Sequence, residues 1–404
     1  MIETYAPIFM VEIGGQKLPE DISAHVENFS YDEDEKQMDE LSITITKGDL
    51  SYVDNPLLQE GKEIRVRWGY VGNLSEVRTC TIKEIQYSFG EDGLIRMDIT
   101  AYDKRHRMTG RASRQCWKDK KLSEVVRDIA AKHNFKAVVE VDDDMIYDFL
   151  SEGAKNDLVF LKELAEDAGC SVWVVNDELH FKPNKINEPV YTFRYREDRD
   201  GYLQSFRISS KAEQGKGTGR ATEAAGINPM TKQVIRESAT QGTKSRTITV
   251  GLGDTSVPEK RTENETPLSS RADESGRVIS SPAPTKDHAR HVARGKVKSA
   301  SMKSIEAEAV TIGLPYLKAR ETIQLENIGK KFSGNWRITK VRHEISNSGY
   351  TCSISLSKND HSGGGSSKSR QTPKTGAKNN SQAKPAGNVK AGTNKPSKLI
   401  VNVG

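Results

Sequence analysis

Through the first hundred residues, apolar side chains recur at every second position. Leu41, Ile43 and Ile45 alternate with polar neighbours, as do Ile64, Val66 and Trp68, and then Ile95, Met97 and Ile99. A period of two with one polar face predicts antiparallel strands covering a single core. Gly14-Gly15, Asp54-Asn55-Pro56, Gly61 and Glu91-Asp92-Gly93 punctuate the strands, the last as the turn of a hairpin. Short strands at this spacing predict a β-barrel or a sandwich over residues 1–111.

From 112 to 186 the period lengthens. Val125, Val126, Ile129 and Ala130 share one face of a helix over Ser123–Asn134, with Ser123 as N-cap and Lys132 and His133 at the negative end of its dipole. A second helix runs from Asn156 or Asp157 through Leu158, Phe160, Leu161, Leu164 and Ala165 to a left-handed stop at Gly169. SVWVVNDELHF then turns back on itself at Asn176-Asp177. These segments predict a small α+β domain with Val126, Ile129, Phe160, Leu161 and Leu164 in its core.

Residues 187–360 return to strands, beginning with VYTFRYRE and YLQSFRIS. Positions 211–300 hold no Phe, Trp or Tyr, so this stretch is expected to be an excursion without an independent core. A short ribbon near Thr247–Leu252 and a helix from about Thr285 are expected within it. Strands resume near Met302. In the last of them Tyr350, Cys352, Ile354 and Leu356 form the apolar phase. The strand before starts with Trp336 and Ile338 in phase and continues with Val341, His343 and Ile345 one residue out of phase. Only an extra residue reconciles the two halves, which predicts a β-bulge at Thr339-Lys340, with Asn347-Ser348-Gly349 as the following turn. The body therefore reads as β-rich α+β: two antiparallel β-barrel domains with a small α+β domain between them and no residue-level repeat.

Charge separates the ends of the chain. Its 404 residues carry 61 Lys and Arg against 56 Asp and Glu, a net charge of +5. Residues 361–404 hold eight of the cations and no acid, which leaves the body at −3. That tail, rich in Gly, Ser, Asn and Lys, reads as a flexible tether; it has no aromatic to stack on a base, so specific nucleic-acid binding is not expected. It ends in Leu399, Ile400, Val401 and Val403, a β-prone apolar peptide suited to docking on a partner by strand addition. No run approaches the ~18 apolar residues needed to span a bilayer, and Glu3 stands where a secretion signal would be basic, so synthesis in a cytosol is expected. Cys80, Cys116, Cys170 and Cys352 form neither a CxxC pair nor a disulfide framework and are expected to be buried or half-buried thiols.

Catalytic patterns are lacking. His288-x-x-His291 has no HExxH context and no third ligand nearby, so two exposed histidines on a polar helix are expected rather than a metal site. Asp142-Asp143-Asp144 lacks the alternating oxygens and the glycine of a calcium loop and reads as a solvated turn. There is no GxSxG and no GK[ST], and Gly215, Gly217 and Gly219 read as linker. No catalytic residue, cofactor or metal is expected.

Three segments carry a resemblance: SRQCWKDKKLSEVVRDIAAKHNF at 113–135, NDLVFLKELAEDAGCSVWVVNDELHF at 156–181 and NWRITKVRHEISNSGYTCSISL at 335–356. In order and spacing the chain resembles the phage late-control D family, the tail hub proteins of contractile-tailed phages. The resemblance implies two tube-like barrels per subunit and a homotrimer that adapts a sixfold tail tube to a threefold spike. It makes Trp68, Gly334, Trp336, Ile338, Tyr350, Ile354 and Leu356 barrel core or corner residues. It implies the tail tube protein, a separate central spike and baseplate wedge proteins as partners, leaves room for a tape measure protein, and locates the chain in a virion tail baseplate assembled in the bacterial cytoplasm. A wall-degrading tail enzyme and a nucleic-acid-binding protein acting through the tail are the alternatives.

Overall fold

Alternating strands need neighbours, and the computed structural model of the chain supplies them in one large sheet. It describes residues 6–112, 114–195, 203–210, 222–227, 234–239, 248–249, 260–261, 277–280, 285–301 and 305–358. The first unit comprises β1 (Pro7–Ile13), β2 (Gln16–Lys17), the short helix α1 (Glu20–Ser23), β3 (Val26–Asp34), β4 (Glu40–Lys47), β5 (Glu63–Tyr70), β6 (Asn73–Leu74), β7 (Arg78–Phe89) and β8 (Ile95–Asp103). After a 3-10 turn at Lys104–Thr109 come β9 (Cys116–Lys121), α2 (Leu122–Lys132), β10 (Lys136–Val139), β11 (Ile146–Ser151), α3 (Asp157–Asp167), β12 (Cys170–Val175) and β13 (Glu178–Pro183). The rest is β14 (Tyr191–Arg194), β15 (Leu203–Ser210), β16 (Thr222–Ile227), β17 (Val234–Ala239), β18 (Ile248–Thr249), β19 (Lys260–Arg261), β20 (Arg277–Ser280), α4 (Lys286–Ser301), β21 (Ile305–Ile312), β22 (Thr322–Glu326), β23 (Gly334–Ser346) and β24 (Gly349–Lys358).

Among the described residues, fourteen strands from both ends of the chain join in a single curled sheet, ordered β15-β21-β24-β23-β3-β4-β8-β7-β5-β1-β2, with β14, β22 and β6 attached beside it. Its pairings are antiparallel apart from β14 with β22. The join between the two halves is β23 on β3, running from Lys340 opposite Asp34 to Ser346 opposite Asn28. One apolar core serves both halves, from Val11 and Phe29 through Trp68 to Trp336 and Leu356.

The order β3-β4-β8-β7-β5 recurs as β15-β21-β24-β23-β22, and the registers recur with it. Ile82 faces Ala101 and Tyr87 faces Met97 in the β7–β8 pair, with a bulge at Lys83; Ile338 faces Leu356 and His343 faces Cys352 in β23–β24, with a bulge at Thr339. The β3–β4 pair bulges at Glu27 and the β15–β21 pair at Gln204, each four residues before the equivalent positions Tyr31 and Ile208. Each bulge adds twist where the sheet must curl. The shift predicted at Thr339-Lys340 is thus one of four at equivalent places.

The small domain packs α2 and α3 on the β10-β13-β12 sheet. Asn156 caps α3 by accepting from the amide of Val159 at 2.9 Å, and Asn176, with φ of 54°, makes the tight turn into β13. One expectation fails here: α2 starts at Leu122, not after Ser123. Ser123 lies in the first turn, and its amide and hydroxyl both donate to Asp144, at 2.9 and 2.8 Å. A carboxylate from across the domain does the capping, with more negative charge to offer the helix N-terminus than a serine hydroxyl.

The aromatic-free stretch also departs from expectation. Strands β17, β16 and β20 form a sheet of their own, and α4 closes on it to bury Ala224, Ile235, Ala289, Val292 and Ala293. Small side chains let helix and sheet approach closely, so a core forms without rings. Thr285 precedes α4, its hydroxyl accepting from the amide of His288 at 3.3 Å, and β18 lies within the expected ribbon near Thr247–Leu252 but pairs with β19 outside it.

Candidate functional site

Strand β3 places Phe29, Tyr31 and Glu33 in the same phase, so a carboxylate continues a line of buried rings. A charge at that depth requires a partner. Arg78 on β7 donates to Glu33 Oε1 through Nε and Nη2, at 3.0 and 2.6 Å, and the amide of Ala319 donates to Oε2 at 3.1 Å. Burial works to raise the Glu33 carboxyl, but Arg78 and Arg320 prevail and hold it below the usual carboxylate range.

A second knot lies beside it. Asp103 caps the 3-10 turn by accepting from the amide of Arg105 at 2.7 Å. The guanidinium of Arg105, wholly buried, donates to Asp39 Oδ1 at 2.7 Å and through Nε to Asp103 Oδ2 at 2.8 Å. Two carboxylates on one guanidinium leave an excess of negative charge. Arg320 Nη2 approaches Asp39 at 3.7 Å, and burial still pushes the Asp39 carboxyl up to about 7.

Arg320 and Arg337 tie this knot to the rest of the chain. Arg320 donates to the carbonyl of Asp34 at 2.9 Å and lies 4.9 Å over the ring of Trp173 in the small domain. Arg337 on β23 donates to the carbonyls of Lys185 and Arg320, at 3.0 and 3.1 Å, and to Glu35 and Asn184, both at 3.2 Å. Both halves of the sheet and the small domain therefore meet on one ionic seam. Removing one member of such a buried set costs roughly 3–5 kcal/mol, because its partners stay buried without it. The seam selects one relative placement of the three parts.

A cleft of about 400 Å³ opens beside the seam, lined by Glu35, Lys162, Ser171, Asn184, Ser299 and Arg337. These groups already face one another: the hydroxyl of Ser171 is 2.7 Å from Glu35 and 2.6 Å from Asn184. Cys170 stands in its wall, and burial pushes that thiol up to about 12, far from a working thiolate.

Two motifs from separate parts of the sequence meet on the small domain. Asp142 takes Lys185 and Lys298 at 2.6 and 2.8 Å, Asp143 lies 3.5 Å from Nδ1 of His291, and Asp144 caps α2. His288 stands edge-on to Tyr147 at 5.1 Å, and burial pulls its pKa down to about 4. The histidines are therefore not an exposed pair, while the three acids stay exposed, as a solvated turn would be, and use that position to meet α4. Among the described residues, no group of three or more His, Cys, Asp or Glu is placed to hold a metal ion.

Trp68, Trp336, Ile338, Tyr350, Ile354 and Leu356 lie in the common core, and Gly334 adopts φ of 121° with Lys358 Nζ 3.3 Å from where a Cβ would stand. Val126, Ile129, Phe160, Leu161 and Leu164 are buried in the small domain, and Gly169 has φ of 64°. Cys80, Cys170 and Cys352 are buried, but Cys116 is exposed, because Trp117 takes the buried phase of β9. Leu399, Ile400, Val401 and Val403 lie outside the described residues.

The sheet leaves two edges open among the described residues. Strand β7 pairs with β5 from Arg78 to Thr81, and from Glu84 to Phe89 it has β8 alone. Strand β15, at the end of the sheet order, pairs only with β21. Phe89 is 66% exposed, and Ile85, Tyr87, Phe206 and Ile208 are half-buried. The sequence reading passed over the acidic positions of the seam; the signal that marks Glu33 is that it falls in phase with the buried Phe29 and Tyr31.

The fold is that of phage tail proteins. The prophage MuSo2 43 kDa tail protein from Shewanella oneidensis superposes with a TM-score of 0.62 at 12% identity, covering 88% of this chain and 99% of that one. A tail protein from Neisseria meningitidis MC58 gives 0.60 at 12% identity, with 88% and 97% covered. The E. coli c3393 protein, described as a type VI secretion component similar to T4 tail proteins gp27 and gp5, gives 0.52 at 9% identity, with 86% and 76% covered. The Alg8 N-terminal domain family matches residues 6–347, and the chain belongs to that family. The late-control D resemblance is carried by the three segments alone. No curated protein matches the sequence.

Proposed function

We propose that the chain is the structural hub of a contractile tail baseplate, a homotrimer that adapts a sixfold tail tube to a threefold spike. Its place is the virion tail or a related injection particle, its partners are the tube, a separate spike and the surrounding wedge proteins, and its role is assembly rather than catalysis. The observation that carries the reading is the internal repeat: two units with one strand order, one set of registers and matching bulges, welded side by side through β23 and β3. Three such chains offer six equivalent units to a sixfold tube while remaining threefold themselves. The likeness in fold to tail proteins over most of both chains supports the same reading. In it the two units are the two tube-like barrels, and the ionic seam keeps them at a fixed angle.

Light scattering on the purified chain, alone and with tube and spike proteins, tests this. A particle of three 44.8 kDa chains is expected. A monomer that remains one in the presence of both proteins would overturn the hub reading.

A further inference from the structure

The weld inside the chain is a template for a contact outside it. Strand β23 has two partners along one edge: β22 up to Arg337, then β3 from Lys340 to Ser346. Its repeat, β7, has β5 up to Thr81 and Gly61-Lys62 beside Ile82, and from Glu84 to Phe89, among the described residues, nothing further on that edge. The repeat of β3 is β15, whose outer edge is, among the described residues, open as well. One chain thus carries one filled joint and the two separated halves of a second.

Burial tells the same story position by position. In the filled joint Ile345 lies opposite Phe29, His343 opposite Tyr31 and Val341 opposite Glu33. All six of these residues are buried. Their repeats in the unfilled edges are Phe89, Tyr87 and Ile85 on β7, and Phe206 and Ile208 on β15. None of these five is buried, and Phe89 is the most exposed large apolar side chain among those described. Apolar residues at in-phase positions of a strand edge, with free backbone groups alongside, are what strand addition covers.

We infer that the open edge of β7 takes strand β15 of a second copy of this chain, in the register of the β23–β3 joint, with Tyr87 opposite Ile208 and Phe89 opposite Phe206. The two strands cannot meet within one copy as they stand, because they lie on opposite sides of the continuous sheet. The contact is head-to-tail: each copy gives a β15 and receives one, and the assembly closes where the rotation returns to its start. The inference rests on the hub reading and specifies the surface through which that hub assembles.

Ser88 and Arg207 are both exposed and fall opposite each other in this register, as Glu344 and Ser30 do in the filled joint. With the exposed Cys116 replaced by serine, Ser88→Cys and Arg207→Cys chains are mixed and oxidised. A disulfide-linked pair is expected from the mixture and from neither chain alone, at a yield at least tenfold above Gln86→Cys mixed with Arg207→Cys, which is two residues out of register. If the chain assembles to a defined oligomer and the Ser88→Cys and Arg207→Cys chains do not cross-link, the strand joint is wrong and the hub reading stands. If the chain stays monomeric with tube and spike present, both fall. Hydrogen exchange supplies the other outcome: protection of Glu84–Phe89 in a monomer, lost on deleting residues 395–404, would mean that the chain's own C-terminal peptide covers the edge, and the inference fails.

Discussion

At the scale of single residues, His343 shows how the core sets a titration. Its Nε2 lies 3.1 Å from the carbonyl of Leu317, which can only accept, so Nε2 carries the ring proton. Nδ1 then accepts from the hydroxyl of Tyr350 at 2.8 Å, while the ring packs 5.0 Å from Trp68. Burial lowers the pKa to about 4 against the pull of Glu33. The unfolded chain binds this proton from about pH 6.5 downward and the folded chain does not, so His343 contributes stability that is complete above 6.5 and is lost as pH falls through 4. The size is on the order of 3 kcal/mol. Asp39, pushed up to about 7, acts in the same window with the opposite sign: its cost to folding is absent at low pH and grows as pH rises through 7. The wild-type profile blends the two, so the expected result is a difference. Urea unfolding of wild type and His343→Gln should show the wild type's advantage shrinking by about 3 kcal/mol between pH 7 and pH 4; an advantage constant with pH would refute the assignment. Phase alone put His343 on the core side of β23, so its burial was legible in sequence. What it touches was not, since Leu317, Trp68 and Glu33 are brought to it by three other segments.

At the scale of elements, strands and hairpins were legible because alternation, glycine and asparagine act locally. The bulge at Thr339 followed from a phase slip, and Asn156, Asn176 and Gly169 hold the positions their chemistry favours. Helix α4 was harder. Its start at Thr285 could be read, but its partners on the small domain lie more than a hundred residues away, and Asp143 and His291 share no local pattern. Composition also misled, because a core of Ala224, Ile235, Ala289, Val292 and Ala293 needs no aromatic ring. The tight point of the docking is Gly295: a Cβ there would stand 1.9 Å from the carbonyl oxygen of Asp167 and 2.9 Å from the amide of Gly169 at the end of α3. Lys296 adds its ammonium to Glu166 and Asp167 at 2.9 and 3.4 Å, favourable at a helix C-terminus. Both obstacles are backbone, which cannot rotate away, so Gly295→Ala should separate α4 from α3. Limited proteolysis should cut within 285–301 at least tenfold faster in the variant while near-ultraviolet signals from Trp68 and Trp336 hold; equal cleavage would show that the helices do not pack this closely.

At the scale of the whole molecule, the duplication was visible as architecture and invisible as sequence, for a reason the core makes plain. Leu41, Ile43 and Ile45 of β4 have Ala307, Ala309 and Thr311 as their counterparts on β21, while Cys80 of β7 has Trp336 on β23. Volume lost on one strand is restored on another, so the two units keep shape and register with few identities. The repeat gives each chain two different edges, and that makes the mode of assembly testable by complementation. Phe89→Asp disables the accepting edge and leaves β15 intact; Phe206→Asp disables the donating edge and leaves β7 intact. A charge buried in either joint has no partner there, so each variant alone should fail to close a ring. Mixed, they retain one sound joint, between β15 of the Phe89→Asp chain and β7 of the Phe206→Asp chain, and native mass spectrometry should find a heterodimer that grows no further. A twofold contact of β7 with β7 would instead leave Phe206→Asp assembling alone, and a contact of β15 with β15 would leave Phe89→Asp assembling alone. Either result would replace the head-to-tail ring with an isologous dimer, which cannot present six equivalent units to a tube.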